Sequence, residues 1–85
     1  MTIETYEARL KRMQMRSMRR GIKEMDLILG QFARERLAHL SESDLAVYDE
    51  LLEENDHDLL AWVVGHSAAP QRFSHLISDI SAYRP

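Results

Sequence analysis

The stretch RRGIKEMDLILG, residues 19–30, decides how this chain is read. On both sides of it, apolar residues recur every three or four positions, and period-two alternation is absent, so the elements are helices. A glycine within a helical pattern weakens it. Gly21 therefore either separates two helices or marks a place where something approaches the backbone closely.

Working outward, Ile3, Tyr6, Leu10 and Met13 define a first helix over roughly residues 4–18. Ile22, Met25, Leu29 and Phe32 define a second over roughly residues 21–38. The third opens on Ser41 as cap, with Asp44 three residues on as in a capping box and Leu40 and Leu45 in the staple positions. Its inward face is Leu45, Tyr48, Leu51 and Leu52. Asn55 caps a short fourth helix with Leu59, Leu60, Val63 and Val64 as apolar positions, and Gly65 stops it. Pro70 fits the first turn of a fifth helix, whose stripe is Phe73, Leu76, Ile77 and Ile80. The spacing predicts a single all-α domain over residues 1–85, a bundle of five short helices joined by short connections, with residues 83–85 frayed.

At 85 residues, with 45% hydrophobic and 29% charged residues, the chain has an ordinary globular composition and a small core. It has no cysteine, which excludes disulfides and thiolate chemistry. No apolar run reaches the roughly 20 residues that span a bilayer. The N-terminal region lacks a signal peptide's apolar segment. Its Glu4 and Glu7 argue against a transit peptide, so a mature, soluble, cytoplasmic protein is expected; a monomer is a separate expectation.

The net charge of −3 conceals segregation: seven of the 11 basic residues lie within the first 23, and eight of the 14 acidic ones between Glu42 and Asp58. The two sets either neutralise each other across the bundle or leave a basic docking surface.

Catalysis finds no support. His39, His57, His66 and His75 never fall three or four apart, and no GxSxG, phosphate-cradling glycine loop or HExxH is present. The acids of 42–58 read as a solvated face, and Trp62 as a core anchor beside Leu59 and Val63. Met13, Met15, Met18 and Met25 flank the glycine and suit either core filling or an adaptable binding surface.

At the glycine itself two readings stand. In one, Gly21 ends the first helix, Arg19 and Arg20 sit at a helix C-terminus, and Glu24 lies in the next helix's first turn, each favourably placed in the helix dipole. In the other, the corner exposes bare main chain to a partner while Arg20 grips a carboxylate or carbonyls.

RRGIKEMDLIL, followed by LSESDLAVYDELLEENDHDLLAWVVG, resembles the family of small assembly factors that promote FAD attachment to succinate dehydrogenase. That family's motif, Arg-Gly-x-x-Glu, falls here on Arg20, Gly21 and Glu24. The similarity adds Asp26, Phe32, Leu40–Ser41, the leucine pair 51–52 and the run to Trp62, and covers roughly residues 10–66. Gly30–Gln31 departs from it, since some relatives carry a larger apolar residue and a proline there.

The resemblance implies a five-helix bundle that docks through the motif surface onto the flavoprotein subunit of succinate dehydrogenase, and often of fumarate reductase. It implies help in joining FAD to a histidine of that subunit, with the cofactor belonging to the partner and none held stably here. Arg20, Gly21 and Glu24 would make the contacts, and Arg16, Arg19 and Asp26 the rim. Mitochondrial relatives carry a presequence; this chain starts almost directly on its first helix, so a bacterial cytoplasmic location is expected. The rival is a small nucleic-acid-binding or antitoxin-like regulator, supported by the basic first helix and opposed by the net negative charge.

Overall fold

A computed structural model describes residues 3–83. Helix α1 spans Tyr6–Met18, α2 Lys23–Arg36, α3 Glu42–Leu51, α4 Asp56–Val64 and α5 Gln71–Ala82; a single 3-10 turn, Leu37–His39, extends α2. The five expected helices are all present. Their ends differ from the sequence reading for local reasons. Thr5, not Ile3 or Glu4, starts α1, because its hydroxyl accepts the Ala8 N–H at 3.1 Å. Gly21 and Ile22 stand outside α2, and the tighter turn replaces the α-helix after Arg36.

Ser41 caps α3 by accepting from Asp44 N–H at 3.1 Å, while the Asp44 carboxylate lies 3.9 Å from His75. Asn55 caps α4, accepting from His57 and Asp58, and Gly65 closes it at φ +85°. Pro70 precedes α5 as its cap rather than lying in its first turn, because its backbone is extended. Of the expected frayed end, Tyr83 is half-buried with its ring edge-on to Phe32 at 5.8 Å; 84 and 85 lie outside the described residues.

Helix α2 is the spine. Met25, Leu29, Phe32 and Ala33 recur at i, i+4, i+7 and i+8 and are all buried. Phe32 stacks on Tyr48 of α3 at 6.0 Å, and Leu59 of α4 and Phe73, Leu76, Ile77 and Ile80 of α5 complete the core. Trp62 is half-buried against Phe73, with ring centroids 6.1 Å apart. The methionines divide: Met13 and Met25 are buried, whereas Met15 and Met18 are exposed. Val64, read as an inward position, is 52% exposed, because α4 is short and its last turn runs past the core.

Two polar devices fix α1 against α3. The first is buried. The Ser17 hydroxyl donates to Met13 C=O at 2.7 Å, leaving its oxygen to accept the Tyr48 hydroxyl, also at 2.7 Å. Burial pushes the Tyr48 phenol up to about 12. The second is a ladder of arginines spaced three to four residues apart on one face of α1. Arg9 pairs with Glu42; Arg12 forms a two-pronged bond to Asp49 at 2.9 and 2.8 Å and also reaches Glu4; Arg16 reaches Glu53 at 3.2 Å. Arg9, Arg12 and Arg16 of the basic segment are thus paired with acids of the same chain.

Two outcomes are expected in urea unfolding. Ser17→Ala strands the buried Tyr48 hydroxyl and costs about 1–3 kcal/mol, whereas Tyr48→Phe leaves Ser17 bonded to Met13 and costs about 1 kcal/mol. The Arg12 hydrogen bonds hold the Asp49 carboxyl below its ordinary value. That contribution is present above the unfolded carboxyl's pKa of about 4 and is lost as pH falls through the lower folded value. Asp49→Asn should therefore lower the melting temperature at neutral pH and flatten the fall in stability below about pH 4.

Candidate functional site

Arg19 caps α1 with φ −128° and ψ 60°, Gly21 follows at φ +98°, and Ile22 returns to extended backbone, φ −117° and ψ 126°, before α2 begins. Ile22 packs against the core, so the chain must reverse within three residues, and Gly21 supplies the torsion. A side chain at such a positive φ costs about 1–2 kcal/mol. Space is not the reason for glycine: a Cβ there would meet only Asp56 Oδ2, at an ordinary 3.8 Å. The outer side of this residue is exposed main chain.

Arg20 does not reach outward. Its side chain is 9% exposed. Nε donates to Asp56 Oδ1 at 2.7 Å, one terminal nitrogen to Leu52 C=O at 2.7 Å, and the other to Glu54 C=O at 2.8 Å. Leu52 and Glu54 lie where α3 ends, and their carbonyls lie where a helix end leaves acceptors unpaired. Asp56 opens α4, where a carboxylate also suits the helix dipole. The Arg20 main-chain N–H donates to Asp26 Oδ1, which reaches back across the corner from α2. The expected outward grip of Arg20 is thus replaced by an internal one, and no helical backbone joins Arg20 to Glu24 on one face.

Glu24 is exposed and has no hydrogen bond or ion pair among the described residues. It edges an open groove of about 440 Å³ whose other lining residues are His57, Leu60, Ala61, Val64 and His66. Arg19 and Lys23 are likewise exposed without partners among the described residues. Arg16, turned toward Glu53 and Leu52 C=O, lines a second open groove with Met15, Arg19 and Arg20. Of the six residues expected at the site, Gly21, Glu24 and Arg19 face solvent at the corner. Arg20 and Asp26 hold it from within, and Arg16 is shared with the ion-pair ladder.

Sequence reasoning missed Asp56, Lys23 and the α4 wall. Lys23 was legible as a third charge beside the glycine. Asp56 was not, because it lies 36 residues from Arg20. Among the described residues no group of three acids or histidines is placed to hold a metal ion, and no helix is long and apolar enough to cross a membrane.

The corner thus presents bare main chain flanked by unpaired charges, on a small all-α scaffold with open grooves. The family model described as flavinator of succinate dehydrogenase matches residues 11–84, and the chain belongs to that family. The succinate dehydrogenase assembly factor 2, mitochondrial, of Schizosaccharomyces pombe is 39% identical over 82 residues, covering 94% of this chain and 59% of that protein. Its counterpart in Meyerozyma guilliermondii is 46% identical over 61 residues, 72% of this chain and 45% of that one. The FAD assembly factor SdhE of Legionella pneumophila strain Lens is 37% identical over 62 residues, 73% of this chain and 78% of the bacterial one. The chain thus spans about half the length of the yeast relatives it matches.

These names are those of assembly factors, in agreement with the reading of the chain as no enzyme. The expectation of a bacterial, cytoplasmic protein is corrected. Proteins named mitochondrial are similar over nearly the whole chain, so the way the sequence begins does not assign a compartment.

Two glycines separate the requirements of torsion and space. Gly21→Ala should destabilise by about 1–2 kcal/mol through its torsion. At Gly30, inside α2, a Cβ would come within 3.2 Å of Met18 Cγ, on a flexible, exposed side chain. Gly30→Ala should be neutral or mildly stabilising, since alanine gains up to about 1 kcal/mol of helix propensity. Thermal unfolding of the two variants reads the contrast.

Proposed function

We propose that this chain is a non-catalytic assembly factor that binds the flavoprotein subunit of succinate dehydrogenase and promotes covalent attachment of FAD to it. The flavoprotein of fumarate reductase is a second partner of the same kind. FAD is the partner's cofactor and is not held stably by this chain, which acts as a monomer. Family membership supports the activity. The observation that carries the site is Gly21: an exposed left-handed residue, locked by Arg20 and Asp26, beside an unpaired Glu24.

The mechanism follows from what such a surface does. A binding protein shifts a partner's conformations only by preferring one of them. A preference of about 1.4 kcal/mol for the arrangement in which FAD lies against its target histidine raises that population tenfold. The bond itself forms by the flavoprotein's own chemistry. Gly21 lets the partner's backbone come within hydrogen-bonding reach, Glu24 supplies an acceptor, and Arg19 and Arg16 form the rim. Arg20 and Asp26 keep this edge in one shape, so little ordering entropy is lost on docking.

The nucleic-acid reading loses part of its support. Arg9, Arg12, Arg16 and Arg20 of the basic segment face carboxylates of the same chain and do not form a free stripe for phosphates.

In a host lacking its own factor, Gly21→Leu should abolish covalent flavin, read as fluorescence of the denatured flavoprotein on a gel, while the variant stays helical by circular dichroism. Glu24→Lys should weaken capture of the flavoprotein at least tenfold. Wild-type covalent flavin with both variants overturns the reading.

A further inference from the structure

We infer that Asp56 is a positioning residue for flavoprotein docking, and that the arginine of the Arg-Gly-x-x-Glu motif works through it from inside the molecule. The inference rests on the docking role proposed above. The geometry is that of a socket. Three nitrogens of one guanidinium meet three acceptors from the α3–α4 connection: Leu52 C=O, Glu54 C=O and Asp56 Oδ1, at 2.7, 2.8 and 2.7 Å. The Asp56 side chain is 16% exposed, and its second oxygen, Oδ2, lies 3.8 Å from where a Cβ of Gly21 would be. One carboxylate therefore holds the arginine with one oxygen and sits beneath the glycine with the other.

The socket ties together two segments more than thirty residues apart that border the exposed edge. One is the α1–α2 corner carrying Gly21. The other is the start of α4, whose next turns carry His57, Leu60, Ala61 and Val64 along the groove edged by Glu24. Without the socket each segment keeps its helix, but their relative placement loses its only charged tie among the described residues. A planar guanidinium with several donors satisfies divergent acceptors at once; an ammonium is a point charge and does not. The motif then reads as four residues on two segments: Arg20 and Asp56 as the socket, and Gly21 and Glu24 as the face it presents.

The test is a double-mutant cycle on affinity for the purified flavoprotein subunit of succinate dehydrogenase, using the full chain with Arg20→Ala, Asp56→Ala and both together. Each single variant should weaken binding at least tenfold, and the pair should bind no worse than the weaker single, because one socket is broken either way. Arg20→Lys, which keeps the charge, should bind as poorly as Arg20→Ala. Asp56→Asn, which keeps an acceptor for Nε, should recover most of the affinity. Loss of mere fold stability would not produce this pairing of a failed charge-conserving variant with a rescuing neutral one.

If Asp56→Ala destabilises the fold, the Arg20→Lys and Asp56→Asn pair still decides, each measured where circular dichroism shows it fully helical. Wild-type binding by Asp56→Ala, multiplying effects in the double variant, or full binding by Arg20→Lys each overturns the inference. Gly21→Leu in the same assay separates the two levels. If it binds normally, the docking reading itself fails; if it fails to bind while Asp56→Ala binds normally, only the socket is wrong.

Discussion

The side chain of Arg20 is the constraint on which the candidate site depends. A guanidinium that is 9% exposed needs acceptors for its donors, and this one finds them in two carbonyls at the end of α3 and a carboxylate at the start of α4. Those carbonyls lie where a helix end leaves acceptors unpaired, so the arginine and the helix end complete each other. With the main-chain N–H of the same residue held by Asp26, the corner between α1 and α2 is fixed at both its backbone and its side chain. The left-handed Gly21 follows Arg20 directly and is displayed by that fixation.

The same pairing governs α1. Arg9, Arg12 and Arg16 face acids of α3 and the α3–α4 connection, so the charge on this face of α1 is paired within the chain. Exposed ion pairs contribute little each, and the buried Ser17–Tyr48 bond carries more of the specificity of how α1 sits. Arg19, Lys23 and Glu24, which have no partners among the described residues, gather around the glycine. Which charges internal pairing leaves over appears only once the pairs are known.

Much of the fold was legible because its signals are local. The caps at Ser41 and Asn55 are each read within four residues, the stop at Gly65 within five, and the α2 stripe of Met25, Leu29, Phe32 and Ala33 within nine. Helix ends were less so. Thr5 was passed over because the apolar pattern begins earlier, at Ile3, and α2 was begun at the glycine because its apolar period includes Ile22. Val64 obeys the periodicity and is still exposed, because burial depends on where the neighbouring helices stop.

For the site the division is sharper. The sequence by itself determined that five helices form, that the first two part near Gly21, and that an Arg-Gly-x-x-Glu motif lies there, because each of these is a property of adjacent residues. Tertiary structure alone decided which motif residues face outward. The acceptors for Arg20 lie 32 to 36 residues away, and no local rule links an arginine after one helix to carbonyls at the end of another. Charge and hydrogen bonding act through space, and only folding brings those partners within 3 Å.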